Sequence, residues 1–305
     1  MKNKFSIILF VMAFLSGFWF ACDKIDEPLT LTEHTEYPVI NEDTNDVFFT
    51  DSVMITEKQV LLEDFTGHRC VNCPEAAFLA HEMALEYDHK LIIYAVHVGQ
   101  LAEPLPGTIF STDFRNETGT NLYNDFNLSS LGVPIGLINR QEFSGFLPLP
   151  SFIWEQAVSN EFDKPVQAKM KLKTKYFPEE GIVVVSTESE FTETLEGNYK
   201  LVVYLAEDSI NAPQLNNNPE IGPDTLYNYY HRNVLRKALN TTYGEFLTPS
   251  GQVEPGIVYK KDYTFLPDQN WQLKNCRIIA YIGKQDEVFN LTEIVQVAEV
   301  GIKTN

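Results

Sequence analysis

Positive charge is in short supply in this chain. Lysine and arginine together number 23 against 42 aspartates and glutamates, so the net charge is −19 at pH 7. No basic stripe is left to neutralise phosphates, which excludes nucleic acid and anionic lipid surfaces as partners. Long apolar runs are almost missing as well. The one candidate, Ile7 to Phe20, falls short of the about 20 residues that a membrane helix needs. Cysteine is sparse: of Cys22, Cys70, Cys73 and Cys276, two are close in sequence. Internal repeats are absent. What remains is 44% hydrophobic and rich in aromatics, enough to bury ordinary cores in two domains.

The N-terminal stretch carries a clear pattern. Lys2 and Lys4 precede the uncharged run Ile7–Phe20, which has the length of a signal-peptide core and ends in Phe20-Ala21-Cys22. This resembles a lipobox, in which residues 1–21 are a removed signal peptide and Cys22 becomes a lipidated N-terminus. Residues 22–46 are rich in Asp, Glu, Thr and Pro without sustained periodicity and read as a flexible tether. The segment Cys22-Asp-Lys-Ile-Asp-Glu is similar to acidic sequences that direct some lipoproteins to the outer membrane. The expectation is a cell-envelope protein that meets the membrane through its N-terminal lipid.

Two patterns follow. Over residues 47–160 strands and helices alternate. Val60–Phe65 is a short apolar strand, Cys73 to Tyr87 is helical with Ala77, Ala80, Ala84 and Tyr87 at spacings of three and four, and Leu91–Val98 is a second strand. Strand, helix and strand in about 40 residues predict a βαβ unit with a parallel pair. A helical stretch near Asn121–Phe126 leads to the apolar run around Pro134. Over residues 161–305 the period becomes two: Val166, Ala168, Met170 and Leu172 alternate with Gln167, Lys169, Lys171 and Lys173. Further short strands are expected at 182–186, 199–206, 257–265, 277–283 and 293–300, with Tyr229–Leu239 the one helix among them. The fold class expected is therefore an α/β domain followed by an all-β antiparallel sandwich.

Chemistry concentrates at Cys70-Val-Asn-Cys73, which sits between a strand and a helix. A cysteine at a helix N-terminus faces unsatisfied N–H groups and the positive end of the dipole, so its thiolate is stabilised. His68 and Arg69 are expected to add positive charge. Cys73, one turn inward, is placed to resolve a mixed disulfide formed at Cys70. Cys276 lies in a strand-like run and reads as a buried inert thiol. His81 and His97 fall inside predicted elements and read as satisfied structural histidines.

Here the chain resembles the thioredoxin superfamily. Asp64 lies six residues before Cys70, where that resemblance implies a buried carboxylate relaying a proton to the second cysteine. Val133-Pro134 resembles the superfamily's cis-proline loop, which faces the cysteine pair and holds substrate backbone. Arg69 stands where the superfamily often has an aromatic residue. Taken whole, the signal sequence, the Thr66-Gly-His-Arg-Cys-Val-Asn-Cys-Pro74 block, Gly132-Val-Pro134 and the β-rich remainder resemble the lipoprotein family related to the 28-kilodalton outer-membrane protein. The resemblance implies a thioredoxin-like domain followed by an immunoglobulin-like sandwich, an outer-membrane location, and no cofactor.

Two functions follow. In the first, Cys70 attacks, Cys73 resolves, Asp64 relays a proton and Pro134 positions the chain, giving thiol–disulfide exchange on envelope proteins. In the second, Cys70–Cys73 is a structural disulfide, and the β domain of a surface lipoprotein binds a protein or glycan. A metal held by Cys70, Cys73 and His68 lacks an evident fourth ligand. Attached c-type haem is excluded because Pro74 stands where histidine is needed.

Overall fold

Alternation along 168–173 fixes one face of a strand, and the computed structural model shows it as half-buried: Ala168, Met170 and Leu172 point inward while the three lysines between them face outward. The structure describes residues 48–49, 52–248 and 251–304. The expected signal peptide, Cys22 and the tether lie outside the described residues.

The first half runs β1 (Val60–Thr66), α1 (Cys73–Glu86), β2 (Leu91–His97), α2 (Glu117–Asp125), β3 (Ile135–Ile138) and α3 (Trp154–Phe162). β1 and β2 are buried at every residue, as expected of a parallel pair covered on both faces. β3 pairs antiparallel with β1, so Asp64 lies opposite Gly136 and Phe65 opposite Ile135. The second half supplies β4 (Ala168–Phe177), β5 (Ile182–Phe191), β6 (Tyr199–Glu207), β7 (Ile210–Leu215), β8 (Thr225–His231), β9 (Val234–Ala238), β10 (Val258–Phe265), β11 (Cys276–Asp286) and β12 (Asn290–Gly301). Shorter strands add at the edges.

One mixed sheet of eight strands carries both halves, in the order β12-β11-β6-β9-β2-β1-β3 with the short strand Glu245–Phe246 on β6. β9 is the junction: Val234 pairs parallel with Ala95 of β2 and antiparallel with Glu207 of β6. A second, antiparallel sheet is built on β4, β5 and β10. It meets the face of β6, β11 and β12 through Met170, Leu172, Val185, Leu205, Ile278 and Ala298. The same face farther along is covered by α1 and α3, through Ala80, Met83, Trp154 and Val158. α2 covers the opposite face through Leu122. Each large apolar side chain buried in these layers contributes about 1.5–3 kcal/mol.

The architecture is thus β-rich, with mixed and antiparallel sheets and few helices. The two packed sheets expected of the second half are present, but the larger continues through β9 into β2 and β1. All described residues fall within one compact unit, Tyr37–Asn305. The helix expected over Tyr229–Leu239 is replaced by the end of β8 and by β9. Asn233, at φ 58°, breaks the backbone between them, and the strands pair with different partners.

Candidate functional site

The turn from β1 to α1 is built by backbone constraint. Cys70 donates its N–H to the Gly67 carbonyl at 2.9 Å, and Cys73 donates to Cys70 at 3.3 Å. Gly67 has no alternative here, because a Cβ would stand 2.7 Å from the Leu101 carbonyl carbon and oxygen. That same carbonyl accepts the Arg69 N–H at 3.0 Å. α1 opens at Cys73, with Pro74 in its first turn, where an N–H would have had no intrahelical partner. Cys70 and Cys73 form a disulfide, with Cα atoms 5.4 Å apart. Cys73 is therefore the first helical residue, and Cys70 lies in the turn before it.

The Val133–Pro134 bond is cis, and the Val133 carbonyl oxygen lies 3.5 Å from Cys70 Sγ. Pairing of Ile135 with Phe65 brings this loop to the disulfide. Asp64, one pair along, is 3% exposed, and its Oδ1 has no hydrogen-bond partner among the described residues. Burial alone pushes its carboxyl up to about 7. The structure thus brings Cys70, Cys73, Pro134 and Asp64 into one region. Cys276 stands apart as a buried free thiol whose pKa burial pushes up to about 12.

Behind Cys73 opens a cavity of about 360 Å³, with Asp64, Phe78, His97, Tyr229 and His231 among the residues that line it. His97 was expected to be a satisfied structural residue, but neither ring nitrogen finds a partner among the described residues. Its ring lies 5.3 Å from that of His231, and Phe114 packs against both at 4.6 and 4.5 Å. Burial holds His97 well below the ordinary imidazole range and takes His231 down to about 3. Both are neutral at physiological pH. His68, stacked on Phe110 at 5.6 Å, is also lowered, by burial first and by Arg69 second. The positive charge expected from His68 beside Cys70 is therefore not there. Among the described residues no three His, Cys, Asp or Glu side chains converge as metal ligands.

Sequence reasoning missed the cover over this turn. The β7–β8 hairpin lies along it as an extra backbone layer: Leu215 donates to the His68 carbonyl at 2.9 Å and Asn217 to that of Val71 at 3.0 Å. Gln214 reaches underneath, donating from Nε2 to Cys70 O at 2.9 Å and to Gly67 O at 3.3 Å. Both cysteines are 2% exposed. Nothing in the local sequence around Gln214 signals a partner some 144 residues away.

A family model described as outer membrane protein Omp28 matches residues 120–305. No curated protein matches the chain. Among solved structures, HBP35 of Porphyromonas gingivalis shares the fold at a TM-score of 0.56 and 18% identity, over 81% of this chain and 76% of that one. A protein from Agrobacterium tumefaciens matches at 11% identity and a TM-score of 0.49, over 82% and 96% of the two chains. A domain of the outer membrane lipoprotein Omp28 from Porphyromonas gingivalis matches at 18% identity and a TM-score of 0.29, covering 46% of this chain and 92% of that one.

Proposed function

The chain belongs to the Omp28 family of outer membrane proteins, and on that premise we propose that it is a lipid-anchored envelope protein whose Cys70–Cys73 pair exchanges disulfides with other envelope proteins. Its location is the outer membrane of the cell envelope. None of the described helices is long and apolar enough to cross a membrane. The lipobox-like Phe20-Ala21-Cys22 supports attachment through a lipid on Cys22.

The observation that carries the redox reading is the placement of the disulfide between two groups that the chemistry needs. The Val133 carbonyl stands beside Cys70 Sγ on one side, in a cis-proline loop that resembles the one thioredoxins use to hold substrate backbone. The buried Asp64 carboxyl lines the cavity behind Cys73 on the other. A substrate thiolate attacks Cys70 Sγ, the Cys70–Cys73 bond breaks, and Cys73 leaves as a thiolate that takes a proton relayed by Asp64. A second substrate thiol then attacks the substrate sulfur of the mixed disulfide. The substrate leaves oxidised and Cys70 leaves as a thiolate, so two electrons and the accompanying protons have passed to the pair. The reverse sequence reduces a substrate disulfide. A carboxyl near pKa 7 holds or releases its proton readily at neutral pH, as general acid–base work requires.

A second reading is favoured by the burial of both cysteines under the β7–β8 hairpin. In it the disulfide is a fixed staple and the protein binds envelope proteins or glycans through its β-rich surface. Mixed-disulfide trapping separates the two. In cells, Cys73→Ser leaves the attacking thiol and removes the resolving one, and is expected to accumulate covalent complexes that reductant dissolves. Cys70→Ser is expected to accumulate none. Should Cys73→Ser also capture nothing, while the wild-type disulfide resists reductants of thioredoxin strength, the staple reading stands and the exchange reading falls.

A further inference from the structure

The cavity behind Cys73 holds two buried histidines, His97 and His231, that proton relay by Asp64 does not use. Asp64, His97 and His231 are each 3% exposed, each lines the cavity, and each carries at least one polar atom without a partner among the described residues. Buried polar atoms are satisfied as a rule, so three around one cavity mark a place where a polar partner fits. Asp64 and His97 project from neighbouring strands on one face of the sheet, since Asp64 pairs with Ala95 and Thr66 with His97.

Each of the three side chains offers an unmet acceptor, and His97 has an unmet N–H donor besides. Asp64 offers a carboxylate oxygen. His231 gives one nitrogen to the backbone at Ala212 and Pro213. A neutral ring that donates there presents Nε2 as an acceptor. His97, neutral as well, has one accepting nitrogen. Three acceptors match the three N–H donors of a primary ammonium group. A metal ion needs ligands that converge on one point, and these do not. Ammonium contacts of about 2.8–3.0 Å relax that demand.

The mouth points to the rest of the molecule. Phe78 and Tyr230 line the cavity and are 59% and 58% exposed. Aromatic faces at an entrance favour a cation passing them and an apolar body resting on them. Inside, Ala77, Ile93 and Ala95 provide the apolar wall. Arg232 is also at the rim, but it is exposed and its charge is screened. A volume of about 360 Å³ suits a molecule of metabolite size.

We propose that this cavity is a binding site for a small primary amine with an aromatic or apolar body, its ammonium group held by Asp64, His97 and His231. The site is independent of whether Cys70–Cys73 turns over, because the contacts are made with the disulfide intact.

Calorimetry on the oxidised protein with three probes of one shape tests this: phenethylamine, phenethyl alcohol and phenylacetate. Phenethylamine is expected to bind at least about tenfold more tightly than the alcohol, and phenylacetate not at all. The groups facing Asp64 are His97 from β2, the disulfide at the start of α1 and His81 from α1, Tyr229 and His231 from β8, and Arg232 just past its end. Since the Asp64 carboxyl titrates near 7, amine affinity is expected to rise about tenfold from pH 6 to pH 8. Asp64→Asn is expected to remove both the amine preference and that rise, leaving alcohol binding in place. Phe78→Ala, an exposed change that leaves the fold alone, is expected to weaken the amine several-fold. Equal affinity for amine and alcohol, a flat pH profile in the wild type, or binding of none of the three would overturn the proposal. The last result would mean that water alone satisfies the three side chains.

Discussion

Arg140 and Glu63 form an ion pair from which solvent is entirely excluded, with both side chains at 0% exposure. The guanidinium grips the carboxylate with both arms, Nε to Oε2 at 2.7 Å and Nη2 to Oε1 at 2.8 Å. Tyr94 donates its hydroxyl to the same carboxylate. Arg140 also donates to Tyr281 Oη at 3.1 Å and to the Leu291 carbonyl at 3.2 Å, and its charge lies over the Phe126 ring at 5.4 Å. The pair therefore fastens β1 and the segment after β3 to β11 and β12, two regions far apart in sequence.

Breaking one side of such a pair leaves a buried charge without its partner. Arg140→Met and Glu63→Leu are each expected to lose about 3–5 kcal/mol of unfolding free energy in urea titrations. The double variant Glu63→Leu with Arg140→Met is expected to recover a large part of that loss, because the desolvation cost disappears with both charges. Additive losses would mean that the ion pair contributes no coupling.

Much of the fold was legible in the sequence wherever its signals are local. The alternation of Lys169, Lys171 and Lys173 with apolar neighbours marked a strand face without reference to any other part of the chain. The helical spacing from Cys73 to Tyr87 marked the extent of α1, but Cys73 is its first residue and not one turn inward, and Cys70 lies in the turn before it. Relationships across long separations were not legible. Glu63 and Arg140 each look like ordinary surface charges until β3 folds back on β1. Tyr229 to Leu239 has helical spacing, and that local preference lost to pairing with β7 on one side of Asn233 and with β6 on the other. The hairpin over the cysteine turn, and with it His231 in the cavity wall, followed from that same override.

The hairpin makes a kinetic prediction. Gln214 is buried and holds the Cys70 and Gly67 carbonyls. Gln214→Leu fills similar space but makes neither bond, each worth about 1 kcal/mol. Opening of the turn is then favoured by about 2 kcal/mol, roughly thirtyfold, and dithiothreitol is expected to reduce the disulfide faster by about that factor. An unchanged rate would mean that reductant reaches the disulfide without displacing the hairpin.

Cys276 offers a control for every thiol experiment. Its thiol is buried, and desolvation first, then Glu207, raise its pKa to about 12. Native protein is expected to resist iodoacetamide at this position at pH 8, and unfolded protein to react at once. Labelling of Cys276 in the native state would show that the sheet opens there, and would require its removal before any trapping result is read.

The carboxyl and the imidazole that face the cavity pull stability in opposite directions with pH. The folded pKa of Asp64 is about 7 against an ordinary 3.8, so the folded state holds its proton more tightly. The stability this contributes is full below pH 3.8 and is lost as pH rises through 7, about 1.4 kcal/mol for each unit. For His231 the folded pKa is about 3 against 6.5. Its contribution is full above pH 6.5 and is lost as pH falls through 3, at the same rate per unit. Between about pH 4 and 6.5 the two slopes offset each other. His97, lowered like His231, adds to the acid side. Asp64→Asn is therefore expected to steepen the loss of stability toward acid in this window by about 1.4 kcal/mol per pH unit, and to stabilise the protein at pH 8. His231→Phe is expected to flatten the acid side by a similar amount. Urea midpoints measured at half-unit steps from pH 4 to 8 read both slopes. If Asp64→Asn leaves the profile parallel to the wild type, Asp64 titrates normally in the folded protein and cannot serve as the proton carrier behind Cys73.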